Sequence, residues 1–100
     1  MFVTLRLYRL NPIFEREFIR LWNELVVELK ALDALEQAVL HKESKISYVS
    51  YVNWTTSEAH EEMSNNPPHH IRRKVEKVQE CCNSITLLHR MEVIDKTIMK

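Results

Sequence analysis

The chain has 100 residues, with 14 basic and 14 acidic side chains and a formal net charge of zero at pH 7. A chain of this length forms one domain, so we expect residues 1–100 to be a single unit. Nucleic-acid binding requires a basic face, so the neutral balance argues against a nucleic-acid partner. No apolar run approaches the roughly 18 residues of a membrane span, and the amino terminus lacks a signal-peptide pattern. We therefore expect a cytoplasmic protein with no membrane partner.

The chain contains no glycine, and its two cysteines, Cys81 and Cys82, are adjacent. Without glycine there is no glycine-rich phosphate loop, which excludes the usual dinucleotide- and ATP-binding folds. Turns that need a positive φ must use Asn, Asp or Ser instead. Adjacent cysteines neither form an ordinary disulfide nor have metal-ligand spacing, so we expect two reduced thiols and no metal site.

The amino-terminal part predicts a strand followed by a long helix. Residues 2–10 alternate, which places Val3, Leu5 and Leu7 on one apolar face that we expect to pack under helices. The Asn-Pro pair that follows supplies an N-cap and a first helical residue. Residues 13–32 then follow helical spacing. Their apolar stripe consists of Phe14, Phe18, Leu21, Trp22, Leu25, Leu29 and Leu32.

Two further strands are predicted to form a hairpin. The first covers residues 35–42, and its alternation puts four side chains on one face: Leu35, Gln37, Val39 and His41. A polar Glu-Ser turn connects it to residues 45–54, whose β-branched and aromatic residues are typical of a strand that ends on Trp54.

The remaining residues predict a helix in two pieces and a last strand. Thr56 or Ser57 suits the N-cap of a short helix over 57–63, and a loop with two prolines separates this from a helix over about 69–81. Residues 83–94 alternate as a strand, and the tail at 95–100 is too short for an element. The order predicts an α+β, ferredoxin-like βαββαβ fold, with a four-stranded antiparallel sheet and helices on one face.

The second face of this sheet is also predicted to carry apolar side chains. An apolar sheet face exposed in a monomer is unfavourable, and a symmetric dimer with two sheets face to face removes it. We therefore expect a homodimer. The candidate residues for that face, depending on register, are Phe2, Tyr8, Ile46 or Tyr51, and Leu88 or Met91.

Three sequence features occur together: Phe18-Ile19-x-Leu21-Trp22 in the long helix, the strand end Tyr51-Val52-Asn53-Trp54, and the following Thr55-Thr56-Ser57-Glu58-Ala59. Together they resemble the antibiotic biosynthesis monooxygenase domain, a member of the dimeric α+β barrel superfamily. The resemblance implies a homodimer with a pocket between sheet and helices in each subunit. Some members oxidise quinols or polycyclic aromatics with dioxygen and without metal or flavin, so we expect no cofactor. Others bind and degrade haem.

The haem-degrading members use an Asn in the first strand, a Trp in the second helix and a His further along. The first-strand region here holds Arg6, Leu7 and Tyr8, and Met63 takes the Trp position. These departures favour the cofactor-independent reaction with a small aromatic substrate. Haem binding or degradation is a distant third alternative.

Cofactor-free oxygenation requires a flat apolar site, a base, and hydrogen-bond donors for an oxyanion. We nominate three catalytic residues: Trp54 to stack on the ring or donate its indole N–H, Asn53 to donate to an anion, and His70 as base. The alternative for Trp54 is a structural role, and we expect it to be buried between the sheet and the helical region over 57–81. Asn53 is adjacent to Trp54 in the strand and so points to the opposite face. His60 and His89 are alternative bases. The predicted substrate-binding residues are Arg6, Tyr8, Tyr48, Tyr51 and His89.

A second function remains open from the sequence, that of a non-catalytic dimeric α/β-barrel module that binds a small ligand. A pocket between sheet and helices that contains a His or an Arg would favour the enzyme, and a fully packed interior would favour the module. The loop at 64–68 is predicted to cover one end of the sheet, since loops beside a rigid sheet commonly carry function.

Overall fold

The structure is a computed structural model and describes residues 1–94. Its elements are β1 (Phe2–Leu10), a 3-10 turn (Pro12–Phe14), α1 (Glu15–Ala31), β2 (Leu35–Lys42), β3 (Ser47–Trp54), α2 (Ser57–Asn65), α3 (His69–Glu80) and β4 (Cys82–Glu92). The four strands form one antiparallel sheet in the order β2-β3-β1-β4. The predicted ferredoxin-like fold is confirmed. The tail at 95–100 lies outside the described residues.

The end of α1 shows how a chain without glycine turns out of a helix. Asp33 has a φ of 56°, in the left-handed region that Asp tolerates better than most residues. Its N–H donates to the carbonyl of Lys30 at 3.0 Å, and the N–H of Ala34 donates to that of Leu29, also at 3.0 Å. This bond pair closes a helix in the manner usually built on Gly. The prediction that Asn, Asp or Ser would take the positive-φ position is confirmed for Asp33.

The start of α2 follows the sequence prediction. The Thr56 side chain accepts a hydrogen bond from the N–H of Ala59 at 3.0 Å and so caps the helix. The helix continues two residues beyond the predicted end, since the N–H of Asn66 still bonds to the carbonyl of Glu62 at 2.8 Å. The two prolines that follow end it, and α3 begins directly after Pro68.

The face of β1 that packs under the helices is the opposite of the predicted one. Tyr8 and Leu10 join Phe18 and Leu21 of α1 in a buried cluster, whereas Val3, Leu5 and Leu7 lie on the far face. The prediction chose the more apolar face of β1 as the buried one. It was wrong because the polar side chains of the other face are buried with hydrogen-bond partners. The Tyr8 hydroxyl hydrogen-bonds to the Ser50 hydroxyl at 3.1 Å, and the Thr4 hydroxyl accepts from the Trp54 indole N–H at 3.0 Å.

In β2 and β4 an irregular pairing reverses which residues face the helices, so the regular alternation predicted for these two strands is wrong. In β2 a register shift between Leu35 and Gln37 turns Leu35 into the core, while Gln37, Val39 and His41 lie on the far face. In β4 the shift opposite Leu5 and Arg6 leaves Leu88 without a β1 partner. As a result Ile85 faces the helices, while His89 and Met91 face away.

The core consists of two neighbouring clusters of buried side chains. One gathers Tyr8, Leu10, Phe18, Leu21, Trp22, Tyr48, Val78 and Cys81. The other gathers Leu29, Ala34, Leu35, Val52, Trp54 and Ile71. Trp54 is 6% exposed and packs with Met63 and Ile71, so its predicted burial between the sheet and the second helical region is confirmed. Within residues 1–94, no helix has the length and apolar character needed to cross a membrane.

Candidate active site

A cavity of about 560 Å³ lies between the inner face of the sheet and the three helices. The apolar and aromatic part of its wall consists of Tyr8, Trp22, Leu25, Val26, Leu29, Leu35, Val52, Trp54, Met63, Pro67, Ile71, Val75, Val78 and Ile85. The other lining residues are Arg6, Ser64, Asn65, Arg72, Glu76 and Gln79. A mostly apolar pocket of this size with a few polar groups suits a drug-sized organic ligand.

Trp54 presents its ring to the cavity, while its N–H is engaged in the core. The indole nitrogen donates to the Thr4 hydroxyl at 3.0 Å, in a buried hydrogen bond between β3 and β1. The N–H that could have bonded to a ligand therefore has a partner in the protein. Trp22 of α1 also lines the cavity, so both tryptophans of the chain contribute to its wall. The site can hold a flat ring by apolar and aromatic contact.

Tyr8 lies next to Arg6 in the lining and remains protonated. Burial raises the pKa of its hydroxyl, and hydrogen bonding to Ser50, the charge of Arg6 and hydrogen bonding to Trp22 oppose this only in part. Its ring packs against Phe18 with a centroid distance of 5.2 Å. Tyr8 therefore gives the cavity a fixed, uncharged aromatic wall.

Arg6 connects the cavity to a buried histidine of α2. Its Nη2 donates to Nε2 of His60 at 3.3 Å, and the Ser64 hydroxyl lies 3.4 Å from the same nitrogen. Because a guanidinium can only donate, Nε2 is the unprotonated nitrogen and the proton of the neutral ring is on Nδ1. Burial, then the charges of Arg6 and Arg90, lower the pKa of His60 from 6.5 to about 4. His60 is thus neutral at physiological pH.

His60 is held tightly by aromatic neighbours. It is 5% exposed, and its ring lies 5.1 Å from the Trp54 ring in an edge-on arrangement and 5.5 Å from the Phe2 ring. Its Nδ1 is buried without a hydrogen-bond partner among the described residues. The side chain therefore holds the Arg6 guanidinium in the cavity wall without adding a charge of its own.

The structure brings three of the predicted site residues to the cavity: Arg6, Tyr8 and Trp54. Tyr48 lies on the inner face but outside the lining, with its ring 5.4 Å from Phe18 and its hydroxyl donating to the Glu15 carboxylate. The predicted loop also contributes, because Asn65 and Pro67 belong to the lining.

The other predicted site residues lie elsewhere. Asn53 is on the far face, as its position beside Trp54 required, and its Nδ2 is 3.3 Å from the sulfur of Met1. Tyr51 and His89 also lie on the far face, where they flank Leu5 on the two neighbouring strands. His70 is exposed on α3 and does not line the cavity. This separation follows from the strict alternation of strand side chains and from the outward position of His70.

Two residues contribute more to the site than the sequence indicated: Trp22 lines the cavity and His60 bonds to Arg6. The sequence places Trp22 only in the apolar stripe of the long helix, and it offers His60 only as one of two alternative bases. Counting from the Thr56 cap, residues 60, 63 and 64 share one side of α2, a helical signal that points His60 toward the strand end at Trp54. Among residues 1–94 no group of three or more His, Cys, Asp or Glu side chains is placed to hold a metal ion.

No protein-family model matches the chain, and no curated protein matches its sequence. Solved structures do match. A proposed antibiotic biosynthesis monooxygenase from Caulobacter crescentus has a TM-score of 0.80 at 9% identity, over 94% of this chain and 90% of that chain. A second antibiotic biosynthesis monooxygenase has a TM-score of 0.77 at 15% identity, over 95% and 100%. SnoaB, a cofactor-independent oxygenase from Streptomyces nogalater, has a TM-score of 0.71 at 12% identity, over 95% and 97%.

These structural neighbours support the resemblance found in the sequence. At such low identities a likeness between structures shows a shared fold and does not carry residue roles across. The chain therefore has the ferredoxin-like fold of the antibiotic biosynthesis monooxygenases.

Proposed function

We propose that the protein is a cofactor-independent monooxygenase that oxidises a quinol-like or polycyclic aromatic substrate with dioxygen. The observation that carries the proposal is the cavity of about 560 Å³, walled by Trp22 and Trp54 and lined by one arginine of the sheet, Arg6. An open interior that contains an Arg is the feature expected of the enzyme and not of a packed module. The likeness in fold to SnoaB, described as a cofactor-independent oxygenase, supports the same reaction class.

The reaction balances without a cofactor. A dihydroxynaphthalene and dioxygen give a hydroxynaphthoquinone and water, and the substrate supplies all the electrons. Its anion reduces dioxygen and a carbon–oxygen bond forms at a ring carbon that carries hydrogen. Cleavage of the oxygen–oxygen bond then leaves one oxygen on the ring and releases the other as water. The two hydrogens of that water come from the substrate hydroxyl and from the ring carbon.

The named residues have distinct roles in this proposal. Trp22 and Trp54 hold the ring through apolar contact. Arg6 stabilises the substrate anion by charge-assisted hydrogen bonds in a partly dehydrated site. His60 positions Arg6, and because its Nε2 already accepts from Arg6 it is not the base.

Oxygen uptake with a panel of hydroquinones and anthrones tests the proposal. We expect uptake with at least one substrate, a loss of about tenfold or more in Arg6→Gln, the range for removing a hydrogen bond to a charged group, and a slower rate in Trp54→Phe. Two matched controls, Arg9→Gln on the same strand and His70→Ala outside the cavity, should retain activity. Absence of uptake with every substrate would leave the ligand-binding module as the better account.

We also propose that two copies pair through the far face of the sheet. Leu5, Leu7, Val39, Val49 and Tyr51 lie there half-buried in the single chain. A second sheet packed against them would remove this apolar area from water, in the closed symmetry usual for homodimers.

A single domain over residues 1–100 and a cytoplasmic location belong to the same proposal.

A further inference from the structure

The charge of Arg6 has no acidic partner within residues 1–94. Other basic side chains near the helices have one: Lys42 lies 2.7 Å from Glu15, and Lys74 lies 2.7 Å from Glu24. Arg6 is half-buried in the wall of a mostly apolar cavity, and its one side-chain hydrogen bond goes to neutral His60. A partly buried charge without a counter-ion is unfavourable, so an anion delivered to the cavity would stabilise the protein.

The surroundings of His60 add to the positive field at this end of the cavity. Arg6 lies 3.3 Å from its Nε2. Arg90 lies 5.6 Å from the ring of Phe2, which is itself 5.5 Å from the His60 ring. Burial first, and then these two charges, lower the pKa of His60. Glu61 lies 3.9 Å from Arg90, and both side chains are more than half exposed. Such a loose, exposed pair compensates the charge of Arg90 only weakly, so this charge adds to that of Arg6.

Among the described residues, none that could take a proton from a ligand is bonded to Arg6 in the cavity lining. Tyr8 is protonated and bonded to Ser50. Arg72 and Glu76 line the cavity from α3, where both are exposed, and Glu76 forms no ion pair with Arg6. A ligand that arrives neutral would therefore find no base beside Arg6, and a ligand that arrives ionised needs none.

We infer that the cavity takes a flat aromatic molecule that is already an anion when it binds, with its charged oxygen paired to Arg6. The chemistry is an anionic oxygen on an aromatic ring system, supplied either by a carboxylate or by an acidic, ionised hydroxyl. The inference rests on the proposed function for the identity of the site and narrows its substrate class. Its test requires binding alone.

Calorimetric titration with matched pairs of ligands tests the charge requirement directly. The carboxylate arm compares 2-naphthoate with neutral 2-naphthamide, which has the same ring. The hydroxyl arm compares ionised 4-nitro-1-naphthol with its methyl ether. In at least one arm the anion should bind about tenfold to a hundredfold tighter than its neutral partner, the range for a hydrogen bond to a charged group. The arm with the larger ratio identifies the source of the charge.

Variants of β1 show whether Arg6 carries the preference. Arg6→Gln should bring the ratio of the two affinities close to one, and Arg6→Lys should retain part of it because the charge remains. Arg9→Gln removes an exposed arginine of the same strand and should leave the ratio unchanged. Circular dichroism checks that each variant is folded. If Arg6→Gln does not fold, the charge preference is tested with the wild-type protein at raised salt concentration. Salt should weaken binding of the anion and leave binding of the neutral partner unaffected.

The location of binding can be read from the two indole N–H signals of the chain, because both tryptophans line the cavity. Saturation with the preferred anion should shift both signals. Equal affinities within each pair, no binding of either anion, or binding that leaves both signals in place would overturn the inference. Anion-selective binding without oxygen uptake would remove the oxygenase and keep this site. Oxygen uptake with neutral quinols, without any preference for anions in binding, would keep the oxygenase and overturn the anion site.

Discussion

His60 provides a prediction that follows from burial and charge alone. In the folded protein its pKa is about 4, whereas an exposed histidine titrates near 6.5. Between these two values the unfolded chain binds a proton that the folded protein does not, so stability must fall as the pH is lowered through this window. From pH 7 to pH 5 the two pKa values correspond to a loss of about 2 kcal/mol in the free energy of unfolding.

The magnitude can be assigned to His60 because the carboxyl groups with shifted pKa values lose their contributions below the interval from pH 7 to pH 5. Glu15 and Glu24 have pKa values lowered from 4.5, chiefly by hydrogen bonds from Lys42 and Lys74. Their contributions are therefore lost only as the pH falls through 4.5 and lower, which is outside the interval from pH 7 to pH 5.

Urea denaturation at pH 7, 6 and 5, at one fixed protein concentration, measures the effect. The wild type should lose about 2 kcal/mol more than His60→Gln between pH 7 and pH 5, since glutamine keeps a hydrogen-bond acceptor for Arg6 and removes the titration. His69→Gln, which replaces an exposed histidine of α3, should behave as the wild type. Equal pH dependence in His60→Gln and the wild type would refute the buried neutral histidine.

Three further predictions concern packing, capping and assembly. Trp54→Ala should cost about 3–5 kcal/mol in the free energy of unfolding, because it opens a cavity in the core and removes the partner of Thr4; an unchanged melting temperature would contradict this. Thr56→Ala should cost about 1 kcal/mol through loss of the bond to Ala59, measured by denaturant titration. Sedimentation equilibrium at micromolar concentration should give about twice 12.0 kDa, and Leu5→Lys on the far face should shift it toward the monomer; a monomeric wild type would rule out the dimer.

The order of elements could be predicted from the sequence because its signals are local. Alternation over residues 2–10, the Thr56 cap and the two prolines after α2 each act within a few residues. The burial of Trp54 followed from its position at the strand end between a sheet and a helix. The use of Asp33 in a left-handed turn followed from the absence of glycine.

The inner face of the sheet could not be predicted, since its polar side chains depend on partners distant in the sequence. Thr4 and Tyr8 are buried because Trp54 and Ser50 supply their hydrogen bonds, and neither pairing is visible in the alternation of β1. The irregular pairing at Leu88 has no local sequence signal either.

The candidate site depended on the same long-range information. The chain has five histidines, and their chemistry alone does not distinguish them. Only the fold places His60 against Arg6 and Trp54 and leaves His70 exposed on α3. Arg6 and Tyr8 were nominated although the alternation of β1 placed their face away from the helices. They line the cavity because the helices cover that face in the structure.

Oxygen-isotope labelling during turnover tests the central claim most directly. The protein is supplied with oxygen-18 gas and with the substrate that gives the fastest uptake, and the product and the water are analysed by mass spectrometry. The account predicts one labelled oxygen in the product, one labelled water for each dioxygen consumed, and formation of both at a rate at least about tenfold lower in Arg6→Gln. An unlabelled quinone with hydrogen peroxide as the other product, or an unchanged rate of labelled product formation in Arg6→Gln, would contradict it.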